Sequence, residues 1–262
     1  MNIFDSHCHL DDKGYDRELD RVVERARQAD VKAIMAVGID LSSSRKAVAI
    51  AGSYDRVYAS VGLHPHDAKS GNDRTMAELQ SLAANAKVKA WGETGLDFNR
   101  MYSPREEQEQ WFDRQMRIGA ALNLPMIFHE RDSQGRFLQM LKPHWGPGRK
   151  GVVHCFSGTD AELDAYLAMG LYIGITGILT IASRGQALRQ MARRIPDERL
   201  LVETDAPYLT PAPERNKARR NEPAFVRTVL FKLAEIKQAD PDALAAVTWA
   251  NTCRLFNVPE SV

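Results

Sequence analysis

The segment Phe4-Asp5-Ser6-His7-Cys8-His9 shows the arrangement that decides the fold, because a short apolar run leads directly into side chains that can bind metal ions. The arrangement recurs at the end of four more runs, which are short, rich in Val, Ile, Leu or Phe, and typical of buried strands. These segments are Trp91-Gly92-Glu93-Thr94-Gly95, Ile127-Phe128-His129-Glu130-Arg131, Val152-Val153-His154-Cys155-Phe156 and Leu201-Val202-Glu203-Thr204-Asp205. Such side chains act together only if the strand ends converge on one face, which a parallel barrel provides.

Strand and helix patterns alternate along the whole chain. Strands are predicted near residues 2–5, 32–37, 57–61, 88–93, 125–129, 151–154, 171–174 and 200–204. Helices are predicted near 16–29, 42–53, 73–86, 105–121, 132–141, 159–169, 184–194 and 223–238, with a final helix pair over 241–256. Ser103, ahead of Pro104 and three residues before Glu106, is predicted to be the N-cap of the fourth helix.

This alternation predicts parallel βαβ units in an α/β protein. We favour a closed (β/α)8 barrel of the TIM type over an open sheet, because only closure makes the first and last strands neighbours. The metal site is then expected at the carboxyl-terminal ends of the strands, in a single domain over residues 1–262.

Composition excludes several classes of protein. Hydrophobic residues make up 44% and charged residues 26%, as in ordinary globular proteins, and the net charge of +1 indicates no general attraction to polyanions. The three cysteines show no disulfide spacing, and neither a secretory signal nor an apolar run long enough to span a bilayer is visible. We therefore expect a cytoplasmic protein without membrane contact, and a monomer because no surface stripe stands out.

The ligand candidates fall into two groups. His7 and His9 are two residues apart, so in an extended segment both imidazoles face the same side and one cation can take both. His129 and His154 each end an apolar strand and indicate a second cation, held together with Glu93, whose two carboxylate oxygens can bridge two cations. Neutral imidazoles suit zinc, manganese, cobalt or nickel.

The remaining carboxylates allow more than one interpretation. Asp205 can coordinate a cation and also accept a proton from an attacking water. Glu203 is a base behind the ligands, a cation ligand, or the partner of a basic side chain inside the barrel. Asp5 either orients an imidazole or caps the strand end.

Other polar and aromatic residues are candidates for substrate contact. His64 follows the third strand and is the best of them. Cations on loops near the mouth can hold phosphates or simply form a solvated face, and aromatic side chains can stack on bases or pack under the loops. The cations are Arg100, Arg131, Arg215, Lys217, Arg219 and Arg220, and the aromatic residues are Phe98, Tyr102 and Tyr208. Cys8 and Cys155 alternate away from the ligands and are predicted to be packed core.

Together these motifs resemble the TatD family of metal-dependent deoxyribonucleases in the amidohydrolase superfamily. The resemblance runs from residue 5 to about residue 256, and the order of its motifs is what makes it specific. The matching segments are Asp5-Ser6-His7-Cys8-His9-Leu10, Val61-Gly62-Leu63-His64-Pro65-His66, Gly92-Glu93-Thr94-Gly95-Leu96-Asp97, His154-Cys155-Phe156-Ser157-Gly158, Glu203-Thr204-Asp205-Ala206-Pro207-Tyr208-Leu209 and Arg220-Asn221-Glu222-Pro223.

The resemblance implies two divalent cations (Mg²⁺, Mn²⁺ or Zn²⁺), one held by His7, His9 and Asp205, the other by His129 and His154, with Glu93 shared. It implies hydrolysis of DNA phosphodiester bonds, in some members as a 3′-to-5′ exonuclease, with DNA repair or clearance roles. The substrate would be single-stranded DNA or frayed ends. The predicted catalytic residues are then Asp205, Glu93 and Glu203, and the predicted substrate contacts are His64, Arg131, Arg220 and Asn221.

Two other functions use the same residues. A hydrolase of a small ester, amide or phosphoester would need the same barrel and ligands. A non-catalytic metal- or nucleic-acid-binding module is disfavoured, because structural metal sites are normally closed by four side chains. The metal used in the cell, the polarity of cleavage and the preference between DNA and RNA are not encoded in any recognisable motif.

Overall fold

The predicted (β/α)8 barrel is confirmed by the computed structural model, which describes residues 1–261. Eight parallel strands form one sheet in the order β1 to β8. The strands are β1 (Ile3–Cys8), β2 (Val31–Val37), β3 (Val57–Val61), β4 (Val88–Asp97), β5 (Met126–Arg131), β6 (Gly151–Val153), β7 (Tyr172–Ile175) and β8 (Leu200–Val202).

Helices follow the strands and cover the outside of the barrel. They are α1 (Leu19–Gln28), α2 (Leu41–Ser53), α3 (Asp73–Ala83), α4 (Arg105–Ala121), α5 (Arg136–Leu141), α6 (Asp160–Ala168), α7 (Gln186–Ala192), α8 (Val226–Lys237) and α9 (Pro241–Phe256). Their buried apolar faces form one large cluster with the outward side chains of the strands, as expected for an α/β barrel.

The sheet closes just beyond the ends of β1 and β8. Cys8 forms a parallel bridge with Ala206. The His9 N–H donates to the Ala206 carbonyl at 2.8 Å, and the Asp205 N–H donates to the His7 carbonyl at 2.9 Å. Closure therefore brings residues from the two ends of the sheet into direct contact at the carboxyl-terminal mouth.

The amino-terminal end of the barrel interior is filled with apolar side chains. Phe4 lies with its ring centroid 5.9 Å from that of Trp249 and 6.1 Å from that of Phe256, both on α9. Inward residues of several strands, including Met35 and Ile127, join this cluster. The interior is thus a packed core, and polar side chains concentrate at the opposite, carboxyl-terminal end.

Two local predictions were wrong. The expected final helix pair is one continuous helix, α9, which ends where Asn257 adopts a left-handed backbone conformation with φ of 51°. The N-cap of α4 is Pro104 rather than Ser103. The Ser103 hydroxyl instead donates to the His66 carbonyl at 2.7 Å and accepts from the Lys69 N–H at 3.0 Å, so it ties two mouth loops together.

Along residues 1–261, none of the helices combines the length and the apolar character that crossing a membrane requires.

Candidate metal centre

Six imidazole and carboxylate side chains meet at the mouth of the barrel. Within each of three overlapping groups, the potential ligand atoms all lie within 4.8 Å of one another. The groups are His7, His9 and Glu93; His7, His154 and Asp205; and Glu93, His129 and His154. The structure therefore brings together all six residues that the sequence predicts as metal ligands.

Irregular strand pairing directs the side chains of His7 and Glu93 toward the mouth. The register between β1 and β2 shifts between Asp5 and Cys8, and the register between β4 and β5 shifts between Trp91 and Thr94. His7 and Glu93 lie inside these shifts, within strands that run past their predicted ends. A bulge redirects side chains without ending a strand, which explains how both residues face the mouth.

Glu93 lies at the centre of the cluster and is only 2% exposed. Its Oε1 is 2.8 Å from His154 Nε2 and 2.9 Å from His129 Nδ1, whereas its Oε2 is 3.3 Å from His7 Nε2. Burial by itself raises the pKa of this carboxyl, but His154, His64 and His7 outweigh it and hold the pKa well below its usual value. A charged carboxylate with one oxygen toward each imidazole pair is suited to being shared by two cations.

His7, His9 and Asp205 form one end of the cluster. The two Nε2 atoms are 3.3 Å apart, and Asp205 Oδ1 lies 3.3 Å from His9 Nε2 and 3.7 Å from His7 Nε2. His9 Nδ1 lies 3.1 Å from the Val37 carbonyl, an acceptor only, so this nitrogen carries the proton. The lone pair of His9 Nε2 is therefore left facing the cluster.

His129 forms the other end with His154, and Asp97 fixes its orientation. Asp97 Oδ2 lies 3.3 Å from His129 Nε2, and its Oδ1 accepts from the backbone N–H groups of Asn99 and Arg100 at 2.9 and 2.7 Å. With Nε2–H directed to Asp97, the lone pair of His129 Nδ1 faces Glu93. A carboxylate behind a ligating imidazole is a common way to fix its tautomer.

Glu203 lies behind His154 and is fully buried. It accepts from the Ser6 hydroxyl at 3.1 Å and the Cys155 N–H at 2.5 Å, and its Oε1 is 3.5 Å from His154 Nδ1. The space for it depends on Gly174, where a Cβ atom would lie 2.5 Å from the carboxylate. Among the described residues no Lys or Arg pairs with Glu203, and His154 is the basic side chain beside it.

Asp5 lies deeper, away from the ligand atoms. It accepts from the Thr204 N–H at 2.9 Å and from the Thr204 hydroxyl at 2.6 Å, which ties β1 to the end of β8. Burial raises its pKa to about 8. Of the two alternatives for Asp5, capping the strand end fits these hydrogen bonds better than orienting an imidazole ring.

His64 is a hydrogen-bond donor rather than a ligand. Its Nδ1 accepts the His66 N–H at 3.0 Å, so the proton is on Nε2, which lies 3.3 Å from Glu93 Oε1. Burial lowers its pKa to about 3, and the ring is neutral at physiological pH.

The donor set fits divalent cations. Imidazole nitrogens that lie 3.3 Å apart, beside buried carboxylates and with lone pairs directed inward, match sites of mixed nitrogen and oxygen ligands. The His7 and His154 rings stack at a centroid distance of 3.8 Å, which neutral, ligating imidazoles tolerate better than two imidazolium ions. The described residues thus contain a His/Glu/Asp cluster that could bind metal.

Comparison with known proteins agrees with this geometry. The sequence profile of a family described as "TatD related DNase" matches residues 4–257, nearly the whole chain. The chain belongs to the TatD-related DNase family. The resemblance stated from the motifs is therefore confirmed.

Relatives of this TatD family member carry nuclease names. The protein named "3'-5' ssDNA/RNA exonuclease TatD" from Cronobacter sakazakii is 44% identical over 257 residues, covering 97% of each chain. Its namesake from Pectobacterium parmentieri is 41% identical over 259 residues, covering 98% of this chain and 100% of the relative.

Solved structures of the family share the fold. A TatD homologue from Escherichia coli superposes with a TM-score of 0.91 at 31% identity, covering 98% of both chains. A TatD family hydrolase from Entamoeba histolytica gives a TM-score of 0.88 at 26% identity, again covering 98% of both. Family membership and fold together make this chain a hydrolase of the TatD type.

Two residues predicted to contact substrate, Asn221 and Arg220, make hydrogen bonds within this TatD family member. Asn221 is fully buried and donates from Nδ2 to the carbonyls of Thr204 and Tyr208 at 2.9 and 2.6 Å. Arg220 donates to Glu18 Oε1 at 2.6 Å and lies over the Tyr15 ring at 4.5 Å. Both side chains hold the loop after β8, and their contact with substrate stays a prediction. Arg131 keeps its predicted place at the mouth, at the end of β5.

Sequence reasoning assigned no role to Asp97, which lies in the mouth beside His66. His66 Nε2 is 2.7 Å from Asp97 Oδ2, so this carboxylate faces two imidazoles at once. Burial alone raises the pKa of Asp97, but hydrogen bonds from His129 and His66 outweigh it and hold the pKa far below its usual value. The signal was present in the sequence, because Asp97 follows Glu93 by four residues in the stretch after the predicted strand 88–93.

The imidazole rings of the mouth form a continuous row that ends in exposed tyrosines. Successive ring centroids are 3.8 to 5.6 Å apart along His9, His7, His154, His129, His64 and His66. Tyr208 lies 5.8 Å from His9 at one end, and Tyr102 lies 4.7 Å from His66 at the other. Both tyrosines are 55% exposed.

Proposed function

We propose that this protein is a metal-dependent exonuclease that removes nucleotides from the 3′ end of single-stranded DNA or RNA with two bound divalent cations. The observation that carries the proposal is Glu93, a buried carboxylate shared by two imidazole groups, in a chain 44% identical to a named 3′-to-5′ exonuclease. One cation would be held by His7, His9 and Asp205, and the other by His129 and His154, with Glu93 shared. Bound cations would neutralise charge on the scissile phosphate and lower the pKa of water.

The protein's own side chains then have separate tasks. Asp205, which is less buried than Glu93, lies where it can accept the proton of the attacking water. Asp97 and Glu203 hold the rings of His129 and His154. His64, being neutral, can donate a hydrogen bond from Nε2 to a phosphate or leaving oxygen.

A preference for unpaired strands is supported by the two tyrosines. A phosphate lying over the imidazole row would place one flanking base toward Tyr208 and the other toward Tyr102. Stacking on an exposed ring requires a base that is not paired, and every base has a face to offer. A duplex would keep these faces buried in its own stack.

Cations around the mouth support binding of the phosphate backbone. Arg131 ends β5, Arg100 and Arg184 lie on loops that follow β4 and β7, and none of the three has an ion-pair partner within the described chain. Arg215, Lys217 and Arg219 are exposed on the loop after β8, likewise without a carboxylate partner among residues 1–261. Free cations on loops that surround one mouth can follow successive phosphates.

The proposal includes a monomer in the cytoplasm. All three cysteines are free, which agrees with a reducing compartment. Size-exclusion chromatography with light scattering measures the oligomeric state directly.

The decisive experiment follows the purified protein on labelled oligonucleotides with Mg²⁺, Mn²⁺ or Zn²⁺. A single strand labelled at its 5′ end is expected to shorten stepwise, and the same strand labelled at its 3′ end is expected to release labelled mononucleotide first. A blunt duplex should be degraded more slowly, and elemental analysis should find two metal ions per chain. Turnover of small esters without cleavage of any strand would refute the nuclease function.

A further inference from the structure

A cleft of about 640 Å³ opens at the end of the barrel opposite the metal centre. It lies between the loops that enter β6, β7 and β8, and Trp145 and Tyr172 form part of its wall. Five cationic side chains line it, whereas Glu198 is its single carboxylate. The cations are Lys142, Arg149, Lys150, Arg199 and Arg254.

None of these five cations has a carboxylate partner within the described residues. Three of them are anchored by backbone carbonyls, and Arg254 donates to the side-chain amide oxygen of Asn251 at 3.2 Å. Arg149 donates to the Met116 carbonyl at 3.1 Å, Lys150 to that of Arg254 at 3.2 Å, and Arg199 to that of Gly170 at 2.7 Å. A carbonyl orients a cation without neutralising it, so the positive charge of the cleft is not compensated.

Several cations on the neighbouring surface are paired with carboxylates. Arg194 on the neighbouring surface pairs with both Asp160 and Asp164, and Arg136 pairs with Glu109 at 2.5 Å. The cleft differs from this paired surface because it gathers five uncompensated cations around one cavity, which the overall charge of +1 does not explain.

Two of the arginines are held in fixed positions. Arg149 is half-buried, and burial lowers the pKa of its guanidinium because no nearby acid offsets the cost. Arg199 lies over the Tyr172 ring at 5.3 Å. Guanidinium groups that are already ordered lose less entropy when they bind an oxyanion, and their remaining N–H groups match phosphate geometry.

We propose that this cleft binds a small phosphate-bearing molecule, either inorganic phosphate or a nucleoside monophosphate. Its volume lies within the range of small-ligand sites. A small anion is favoured over a nucleic-acid strand because the cations surround one cavity instead of following a line across the surface. This site is independent of the proposed nuclease activity, since it lies at the other end of the strands.

The test uses Trp145 as a local reporter. Its indole Nε1–H donates to the Met169 carbonyl at 2.9 Å in the wall of the cleft, and it is one of four tryptophans in the chain. The metal-loaded protein, labelled with nitrogen-15, is titrated with inorganic phosphate and with deoxyadenosine monophosphate. The indole signal that disappears in Trp145→Phe is expected to shift and saturate.

Matched variants separate the cleft from general charge effects. Arg149→Ala with Arg199→Ala should raise the apparent dissociation constant by about tenfold or more, because two charge-assisted contacts are lost. Arg17→Ala with Arg193→Ala removes the same charge from exposed positions outside the cleft and should leave the titration unchanged. If the first pair does not fold, Lys150→Ala with Arg254→Ala, both exposed, tests the same cleft.

The outcomes are distinct. A smaller dissociation constant for the nucleotide than for phosphate identifies the nucleotide as ligand, and equal values identify phosphate alone. The site is refuted if the Trp145 signal does not saturate, if both cleft variants bind like the wild type, or if a single-stranded oligonucleotide binds the cleft more tightly than either probe. Loss of nuclease activity does not bear on any of these results.

Discussion

The two ends of the barrel carry opposite charge chemistry. At the carboxyl-terminal mouth, Glu93 and Asp205 lie among imidazoles whose lone pairs face inward, whereas at the amino-terminal cleft arginines lie without carboxylate partners in the described chain. β6 joins the two regions, because Lys150 precedes its three residues and His154 follows them. About 13 Å of extended chain thus separates a group suited to anions from a group suited to cations.

The comparison shows how a parallel barrel keeps two kinds of site apart. All strands point the same way, so residues after strands meet at one end and residues before strands meet at the other. The packed interior, with Phe4 against Trp249, lies between them. We therefore expect that substitutions at one end leave the other unchanged.

The largest effect is expected from Glu93→Ala. Removing the shared carboxylate should reduce the bound metal and lower the rate of strand cleavage by about a thousandfold or more, since both cations lose a ligand. Elemental analysis and a cleavage assay measure the two effects. Glu130→Gln is the matched control, because Glu130 is also buried beside His129 but bonds to Ser133. Full metal content and activity in Glu93→Ala would remove the basis for the shared site.

Asp97→Asn should have the next largest effect. The neutral amide accepts less strongly from His129 and His66, so the His129 ring is less well fixed, and metal affinity should fall by about 10- to 100-fold. Calorimetric titration of the metal-free protein measures this without relying on activity. Asp132→Asn, an exposed change in the neighbouring loop, should bind metal like the wild type. Unchanged affinity in Asp97→Asn would show that Asp97 does not position the ligand.

Tyr208→Ala tests the aromatic end of the imidazole row. Loss of one stacked base should cost about 1–3 kcal/mol in binding of a single strand, seen as a higher KM. Tyr208→Phe keeps the ring and should behave like the wild type, as should Phe231→Ala, an exposed aromatic on α8 outside the row. With a strand lacking the base next to the scissile phosphate, Tyr208→Ala should show no further loss. An equal loss on that strand would contradict stacking.

The smallest effect is expected at the mouth cations and sharpens the contrast between the two ends. Lys217→Ala with Arg219→Ala should lower the salt dependence of single-strand binding, by about 0.7 in the logarithmic slope for each phosphate contact removed. Lys150→Ala with Arg254→Ala, the same loss of charge in the cleft, should leave the slope unchanged. Equal slopes in both variants would mean that the strand does not distinguish the two ends.

Much of the fold was predictable because it depends on local patterns. Apolar runs of strand length alternate with amphipathic helices, and the predicted strands all exist within a few residues of their observed bounds. His7 and His9 were readable as a pair because their spacing is short. The start of α4 was predicted wrongly because Pro104, and not Ser103, is its N-cap. The last helix was predicted wrongly because a continuous apolar face keeps α9 as one helix.

The side chains that contact the candidate ligands were harder to predict from the sequence. Asp97 faces His66 and His129 from positions 31 and 32 residues away, and that meeting depends on how β4 and β5 pair. Asn221 looked like a substrate contact in a polar loop, yet the loop folds back and buries it under Tyr208. Long-range packing decides such contacts, and no spacing rule encodes it.

The amino-acid sequence by itself determined the strands, the helices and the kinds of side chain that follow each strand, because periodicity and residue chemistry are local properties. Only the tertiary structure decided which of those side chains meet. Closure of β8 onto β1 placed Asp205 beside His9, and the packing of three separate segments gathered the cations of the cleft. Distances between groups that are remote in sequence depend on the whole barrel. The metal centre at the mouth could be predicted from the imidazoles and carboxylates that follow the strands, whereas the cationic cleft could not be predicted.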